Sequence, residues 1–176
     1  MNFGNASWKV LHVNHEKTDD TNDSSIVVEL TYSATKYLFM GDASTTVEKS
    51  RNWNDIDVLK VAHHGSDSST SQDFLNQIKP EYAIISVGKN DYGHPTDTVL
   101  KNLENIKLYR TDKNGTIWIT SDGKKINITV LDYNLDGNGR KITCLPEKVL
   151  QNTFFFNILQ YDINRLLEAV IYLNSY

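Results

Sequence analysis

Short apolar runs that each break off at a polar cluster recur along this chain, and they restrict its fold more than any other feature. Tyr37-Leu38-Phe39-Met40 stops at Gly41-Asp42. Asp57-Val58-Leu59-Lys60-Val61-Ala62 stops at His63-His64-Gly65-Ser66, and Ala83 to Val87 runs on to Tyr92-Gly93-His94-Pro95. Runs this short, rich in β-branched and aromatic residues, read as strands. Ile26, Val28, Leu30 and Tyr32 alternate with Ser25, Val27, Glu29 and Thr31, which predicts a further strand with one wetter face. Lys107 to Arg110, Thr116 to Thr120 and Lys125 to Leu131 add three more, with turn dipeptides at Asn114-Gly115 and Asp122-Gly123.

Helical spacing falls between the strands. Phe74, Leu75 and Ile78 share one face over 71–79, and Pro80 stops the run. Leu100 and Leu103 do the same over 96–105, behind Pro95 and the capping residue Thr96. Strands alternating with helices predict a layered α/β fold.

Composition narrows the function classes. The 176 residues are 39% hydrophobic and 23% charged, which suits one globular domain. A net charge of −4 gives no electrostatic footprint for nucleic acid or an anionic membrane. Bound metal would nevertheless supply the positive charge that a phosphodiester needs. The single cysteine, Cys144, excludes an intramolecular disulfide and a cysteine-rich zinc module. No apolar run approaches the ~20 residues of a membrane helix, and Met1-Asn2-Phe3-Gly4 is not a signal peptide. Taken alone the chain reads as soluble, cytoplasmic by default and extracellular if a longer parent is secreted or membrane-attached.

The polar clusters are where chemistry is expected, because side chains beyond strand ends converge on solvent while the strands hold them rigid. Asp42 offers a hard oxygen ligand, and His63-His64 offers imidazole nitrogen suited to zinc, manganese or iron. By residue type alone, Gly41-Asp42 is more often a turn than a ligand, and His94 before Pro95 serves equally as a helix cap. A serine-hydrolase reading of Ser66 with His64 fails on the absence of a Gly-x-Ser-x-Gly elbow.

Order and context favour the metal reading. Asn22-Asp23-Ser24-Ser25-Ile26-Val27-Val28-Glu29-Leu30, Tyr37 to Asp42, Asp57 to Ser66, Tyr82 to Pro95 and Tyr109 to Thr116 together resemble the metallo-β-lactamase-like domain of the bacterial competence protein ComEC. The likeness covers roughly residues 7–130, in order. It implies an αββα sandwich, of which this chain would be the C-terminal half: a mixed sheet with flanking helices. It also implies a metal-dependent hydrolase, phosphodiesterase- or nuclease-like, connected with DNA uptake and using two divalent metals, zinc or manganese. On that pattern Asp42 bridges the metals and one of His63 and His64 is the last metal-binding histidine. His63 is favoured because it sits at the strand end, leaving its neighbour for substrate. Ser66 and His94 would contact a phosphodiester or nucleic-acid substrate.

The fold's opening His-x-His-x-Asp-His motif is absent, and His12-Val13-Asn14-His15 does not replace it. The chain alone is therefore expected to be incomplete and nearly inactive. The alternative is a non-catalytic remnant or interaction module that retains the sheet. A chain bearing one sheet would leave Ile26, Val28, Leu38, Leu59, Val61, Ile84, Val87, Ile117 and Ile119 short of cover. Such a chain needs its missing N-terminal half, self-association or a substitute cover. Residues 1–131 read as the metallo-β-lactamase-like portion and 132–176 as a tail. In the tail, Asp132, Asn134 and Asp136 resemble half of a calcium loop, without the acidic residue at position 12. Ile163, Leu166, Leu167, Val170, Ile171 and Leu173 predict an amphipathic helix over 162–176, similar to helices of dockerin modules.

Overall fold

The computed structural model describes residues 2–3, 6–14, 20–131, 134–135, 141–142, 154–158 and 170–173, with side chains over 6–14 and 20–130. Strands β1 (Asn2–Phe3), β2 (Ala6–His12), β3 (Val27–Tyr32) and β4 (Thr35–Phe39) form an antiparallel meander. Helix α1 (Thr45–Lys49) then leads to β5 (Val58–Lys60), α2 (Gln72–Ile78) to β6 (Tyr82–Ile85), and α3 (Asp97–Asn102) to β7 (Lys107–Arg110). The strands β4, β5, β6 and β7 are parallel neighbours, so one seven-stranded mixed sheet runs in chain order from β1 to β7. The layered α/β architecture with a mixed sheet and flanking helices is thus as the sequence predicts.

The helices begin where their caps dictate. Ser44 Oγ accepts from Thr46 N, Ser71 Oγ from Phe74 N and Thr96 Oγ1 from Val99 N, each satisfying a backbone donor that the helix leaves unpaired. Glu48 of α1 ties the first helix to the second: its carboxylate accepts from Thr70 N, from Ser71 N at 3.1 Å and from Ser71 Oγ at 2.6 Å. Burial pushes the Glu48 carboxyl up from its ordinary value, against the opposing pull of those hydrogen bonds.

Alternation along the strands sends side chains to two separate cores. Leu38, Leu59, Ala83 and Ile85 pack with Phe74, Leu75, Ile78, Val99 and Leu103 beneath the helices. Tyr37, Val58 and Ile84 point the other way, onto Ile117 and Ile119. Those two belong to β8 (Thr116–Ser121), which follows the short helix α4 (Thr111–Asn114) and pairs with β9 (Ile126–Leu131). The second sheet is four-stranded and antiparallel, in the order β13-β12-β8-β9, with β12 at Phe154–Ile158 and β13 at Val170–Leu173.

This second sheet corrects the expectation of an uncovered face. Leu38, Leu59, Val61, Ile84, Val87, Ile117 and Ile119 are all buried, and only Ile26, at 58% exposure, lies well out in solvent. The reason is that β8 and β9 do not extend the first sheet; they fold across it and bury its second face. Val170–Leu173 also departs from the amphipathic helix expected over 162–176. Val170, Ile171 and Tyr172 suit a strand, and pairing with β12 decides the outcome over helical spacing. The rest of that segment lies outside the described residues, as do Asp132 and Asp136 of the calcium-like loop; Asn134 stands in β10 (Asn134–Leu135), paired with β11 (Lys141–Ile142). Among the described residues no helix is long and apolar enough to cross a membrane.

Candidate metal and substrate site

Three neighbouring parallel strands release their chains at one edge of the sheet, and those three exits build a single cavity. Asp42 follows β4, His63 and His64 follow β5, and the loop 86–95 follows β6. Together Asp42, His63, His64, Val87, Asn90, Tyr92 and His94 line a pocket of about 270 Å³. This is where parallel α/β sheets place ligands, because adjacent strands point their carboxyl ends the same way.

The Gly41-Asp42 turn is braced from two sides. Asp42 N donates to Ser25 Oγ at 3.0 Å, and the Gly41 carbonyl accepts from His63 N at 3.0 Å. Asp23 accepts from Ser44 Oγ, and His12 Nε2 donates to the Asp23 carbonyl at 2.9 Å. The Asn-Asp-Ser-Ser loop thus supports the aspartate turn, and His12 serves that loop instead of the cavity.

His63 and His64 both adopt left-handed backbone conformations, with φ of 45° and 54°. Two consecutive non-glycine residues in that region hold strain of order 1–3 kcal/mol each, which the surrounding contacts must sustain. The strain aims both rings at the cavity. His64 Nδ1 lies 2.7 Å from the Ser86 carbonyl, which can only accept, so Nδ1 donates there and Nε2 is the nitrogen left for a ligand. A carbonyl holding one ring nitrogen in this way is the usual support for a metal-binding histidine. His63 Nδ1 is buried without a hydrogen-bond partner, and its ring meets that of His94 edge-on at 5.5 Å.

The third exit is organised by Asn90. Its Nδ2 donates to the Gly88 and His94 carbonyls at 2.9 and 2.8 Å, and its Oδ1 accepts from Tyr92 N and His94 N at 3.1 and 3.0 Å. Four bonds from one side chain fix a loop that has no regular structure of its own. The start of that loop is held by buried Thr111, whose Oγ1 accepts from Val87 N at 2.8 Å and donates to Val87 O at 2.7 Å. Replacing Thr111 with valine keeps the shape but leaves both backbone groups unpaired. An expected loss of about 2 kcal/mol follows, readable as a lower urea midpoint at unchanged slope.

Gly65 joins the second exit to the third. Its carbonyl accepts from Thr96 N at 3.0 Å and Thr96 Oγ1 at 3.3 Å, and the Pro95 ring packs directly against it.

Charge in the site is uneven. Lys60 is buried on the same strand face as Val58, and its Nζ donates to Val61 O at 2.9 Å. Burial pulls its ammonium down to about 8, while the negative charge of Asp42 acts in the opposite direction. Burial also lowers His94, assisted by repulsion from the His63 and His64 imidazoles and resisted by Asp67.

Asp42, His63, His64 and His94 therefore share one cavity, as the sequence suggests. Ser66 does not line it: the residue is buried, and its Oγ lies 3.0 Å from Ser68 Oγ within the following turn. Sequence reasoning did not single out Asn90, Thr111, Ser25 or Lys60, although a buried lysine amid an apolar strand and an asparagine in a loop before glycine were visible signals. The donors fit part of a metal site. One carboxylate and two imidazoles meet at the cavity, one imidazole oriented from behind and the other with an orphaned nitrogen. No three His, Cys, Asp or Glu side chains among the described residues gather closely enough to hold one ion.

Residues 10–89 match the family model of the metallo-beta-lactamase superfamily. The chain is 42% identical over 103 residues to ComE operon protein 3 of Bacillus subtilis, covering 54% of this chain and 13% of that protein. It is 36% identical over 120 residues to Competence protein ComA of Neisseria gonorrhoeae, covering 64% and 17%. It is 35% identical over 103 residues to Recombination protein 2 of Haemophilus influenzae, covering 57% and 13%. The chain thus spans less than a fifth of the length of each relative. The matched family model, the competence relatives and the layered α/β architecture together support a ComEC-like protein of metallo-β-lactamase fold.

Proposed function

We propose that this chain forms part of a metal-dependent hydrolase acting on a phosphodiester, with nucleic acid as the substrate class. The observation that carries the reading is the meeting of Asp42, His63 and His64 in one cavity, at the carboxyl ends of adjacent parallel strands, with His64 Nδ1 occupied by the Ser86 carbonyl. The printed names of the relatives, competence and recombination proteins, are in keeping with a nucleic-acid substrate.

In this reading Asp42 would hold metal through its carboxylate, and His64 through Nε2 or His63 through Nδ1. Divalent zinc or manganese, when bound, supplies a water activated near neutral pH and offsets charge on phosphate oxygens. His94, whose protonated form is disfavoured by burial and by its histidine neighbours, would place a hydrogen bond on the substrate. Buried Lys60 would hold the Asp42 carboxylate charge when the metals leave.

A non-catalytic interaction module is the second reading, and the lack of a three-donor group among the described residues favours it. Calorimetry with zinc or manganese and turnover of a chromogenic phosphodiester separate the two. The chain alone is expected to bind weakly and turn over little, because a catalytic zinc site takes three protein ligands. Supplying a polypeptide with the His-x-His-x-Asp-His motif should raise both affinity and turnover. Failure of both to rise would overturn the hydrolase in favour of the module, and submicromolar affinity with turnover by the chain alone would overturn the expected dependence.

A further inference from the structure

Tyr92 stands 72% exposed on the wall of the cavity, and nothing in the packing of the fold requires it there. One face of its ring stacks on His94, with centroids 6.0 Å apart and planes 29° from parallel. Its backbone is not free to turn away: Tyr92 N and His94 N both donate to Asn90 Oδ1. The result is an aromatic ring on a braced backbone, stacked on His94 and open to solvent, beside the candidate metal ligands.

From this geometry we infer that Tyr92 is a stacking platform for a nucleobase flanking the phosphodiester held at Asp42, His63 and His64. A phosphodiester entering the cavity carries its two substituents past the rim, and the rim presents the exposed ring on the side of His94. Every base has a π-face, so a stacked base adds affinity without sequence selection. The charge pattern supports stacking over phosphate attraction. The chain carries a net charge of −4, and the exposed charges nearest Tyr92 in sequence, Lys89 and Asp91, are of opposite sign. A neighbouring base is thus the part of a nucleic acid that this rim is equipped to recognise.

The inference deepens the proposed hydrolase reading and rests on it for the place of the phosphodiester, but its test is a binding measurement. Fluorescence anisotropy on the full chain, with zinc present, compares a cleavage-resistant oligothymidylate with an abasic strand of equal length and charge. Tyr92→Ala should bind the base-bearing strand about tenfold more weakly and the abasic strand as wild type does; Tyr92→Trp should retain affinity. The deficit should persist as salt is raised, since stacking releases no counterions. Equal affinity of Tyr92→Ala and wild type, an equal loss on both strands, or no oligothymidylate binding by wild type would each overturn the inference. Turnover of a small chromogenic phosphodiester by the wild-type chain supplied with a polypeptide carrying the His-x-His-x-Asp-His motif, measured in parallel, keeps the two readings apart. Turnover without a Tyr92 effect removes the stacking platform alone, whereas base-dependent binding without turnover removes the hydrolase alone.

Discussion

Asp42→Asn should weaken zinc or manganese binding by roughly 100-fold or more, whereas Ser66→Ala should leave it within a factor of a few. Losing a residue that merely orients a metal ligand already costs 10–100-fold in affinity or activity. Asp42 is proposed as a ligand itself. Asparagine preserves its shape, so the Ser25 bond to the backbone N–H at 42 and the bond from His63 N to the Gly41 carbonyl remain. What disappears is the negative charge, and with it the attraction that opposes the effect of burial on the Lys60 ammonium. Ser66 supplies the contrast, since it lies buried within its own turn and outside the cavity lining. Calorimetric titration of wild type and both variants, at equal fold content by circular dichroism, reads the result. With a polypeptide carrying a His-x-His-x-Asp-His motif supplied, phosphodiester turnover should fall in step. Near-normal metal affinity in Asp42→Asn would remove Asp42 from the site.

Gly65→Ala is expected to be the most damaging single methyl addition in the described fold. A Cβ there would sit 2.5 Å from Pro95 Cβ and 3.0 Å from Pro95 Cα, and the backbone has φ of +87°. The clash is with a proline ring and backbone, neither of which swings aside as a flexible side chain does. Overpacking costs about 1–3 kcal/mol, and left-handed geometry adds about 1–2 kcal/mol for a residue with a Cβ. A loss of about 3 kcal/mol would lower the melting temperature by about 10 °C in a domain of this size. Relief by moving the loop would break the bonds from Thr96 to the Gly65 carbonyl and shift His94 from its contact with His63. Thermal unfolding followed by circular dichroism reads the stability, and histidine proton resonances read the displacement. A variant melting within a couple of degrees of wild type, with those resonances unmoved, would contradict the close approach.

Much of this was legible in the residues themselves. Pro80, Pro95, Ser71 and Thr96 bound their helices by local chemistry, so α2 and α3 appear where spacing and caps put them. Lys107–Arg110 forms a strand as its pattern predicts. Asp42, His63, His64 and His94 stood out because each cluster ends an apolar run, and parallel pairing of β4, β5 and β6 brings such ends together. Local pattern did not reveal that β8 and β9 turn away to build a second sheet, because strand spacing is the same whichever sheet a strand joins. Nor did it reveal Val170–Leu173 as a strand, since Val170, Ile171 and Leu173 satisfy helical spacing as well as strand pairing. Only tertiary structure shows that Ser66 is turned inward, that Asn90 and Thr111 hold the third loop, and that Tyr92 faces solvent. Sequence specified which residues could do chemistry; long-range hydrogen bonds and steric contacts, such as Thr111 to Val87 and Gly65 to Pro95, decided which of them meet, because such contacts depend on distances that no local spacing encodes.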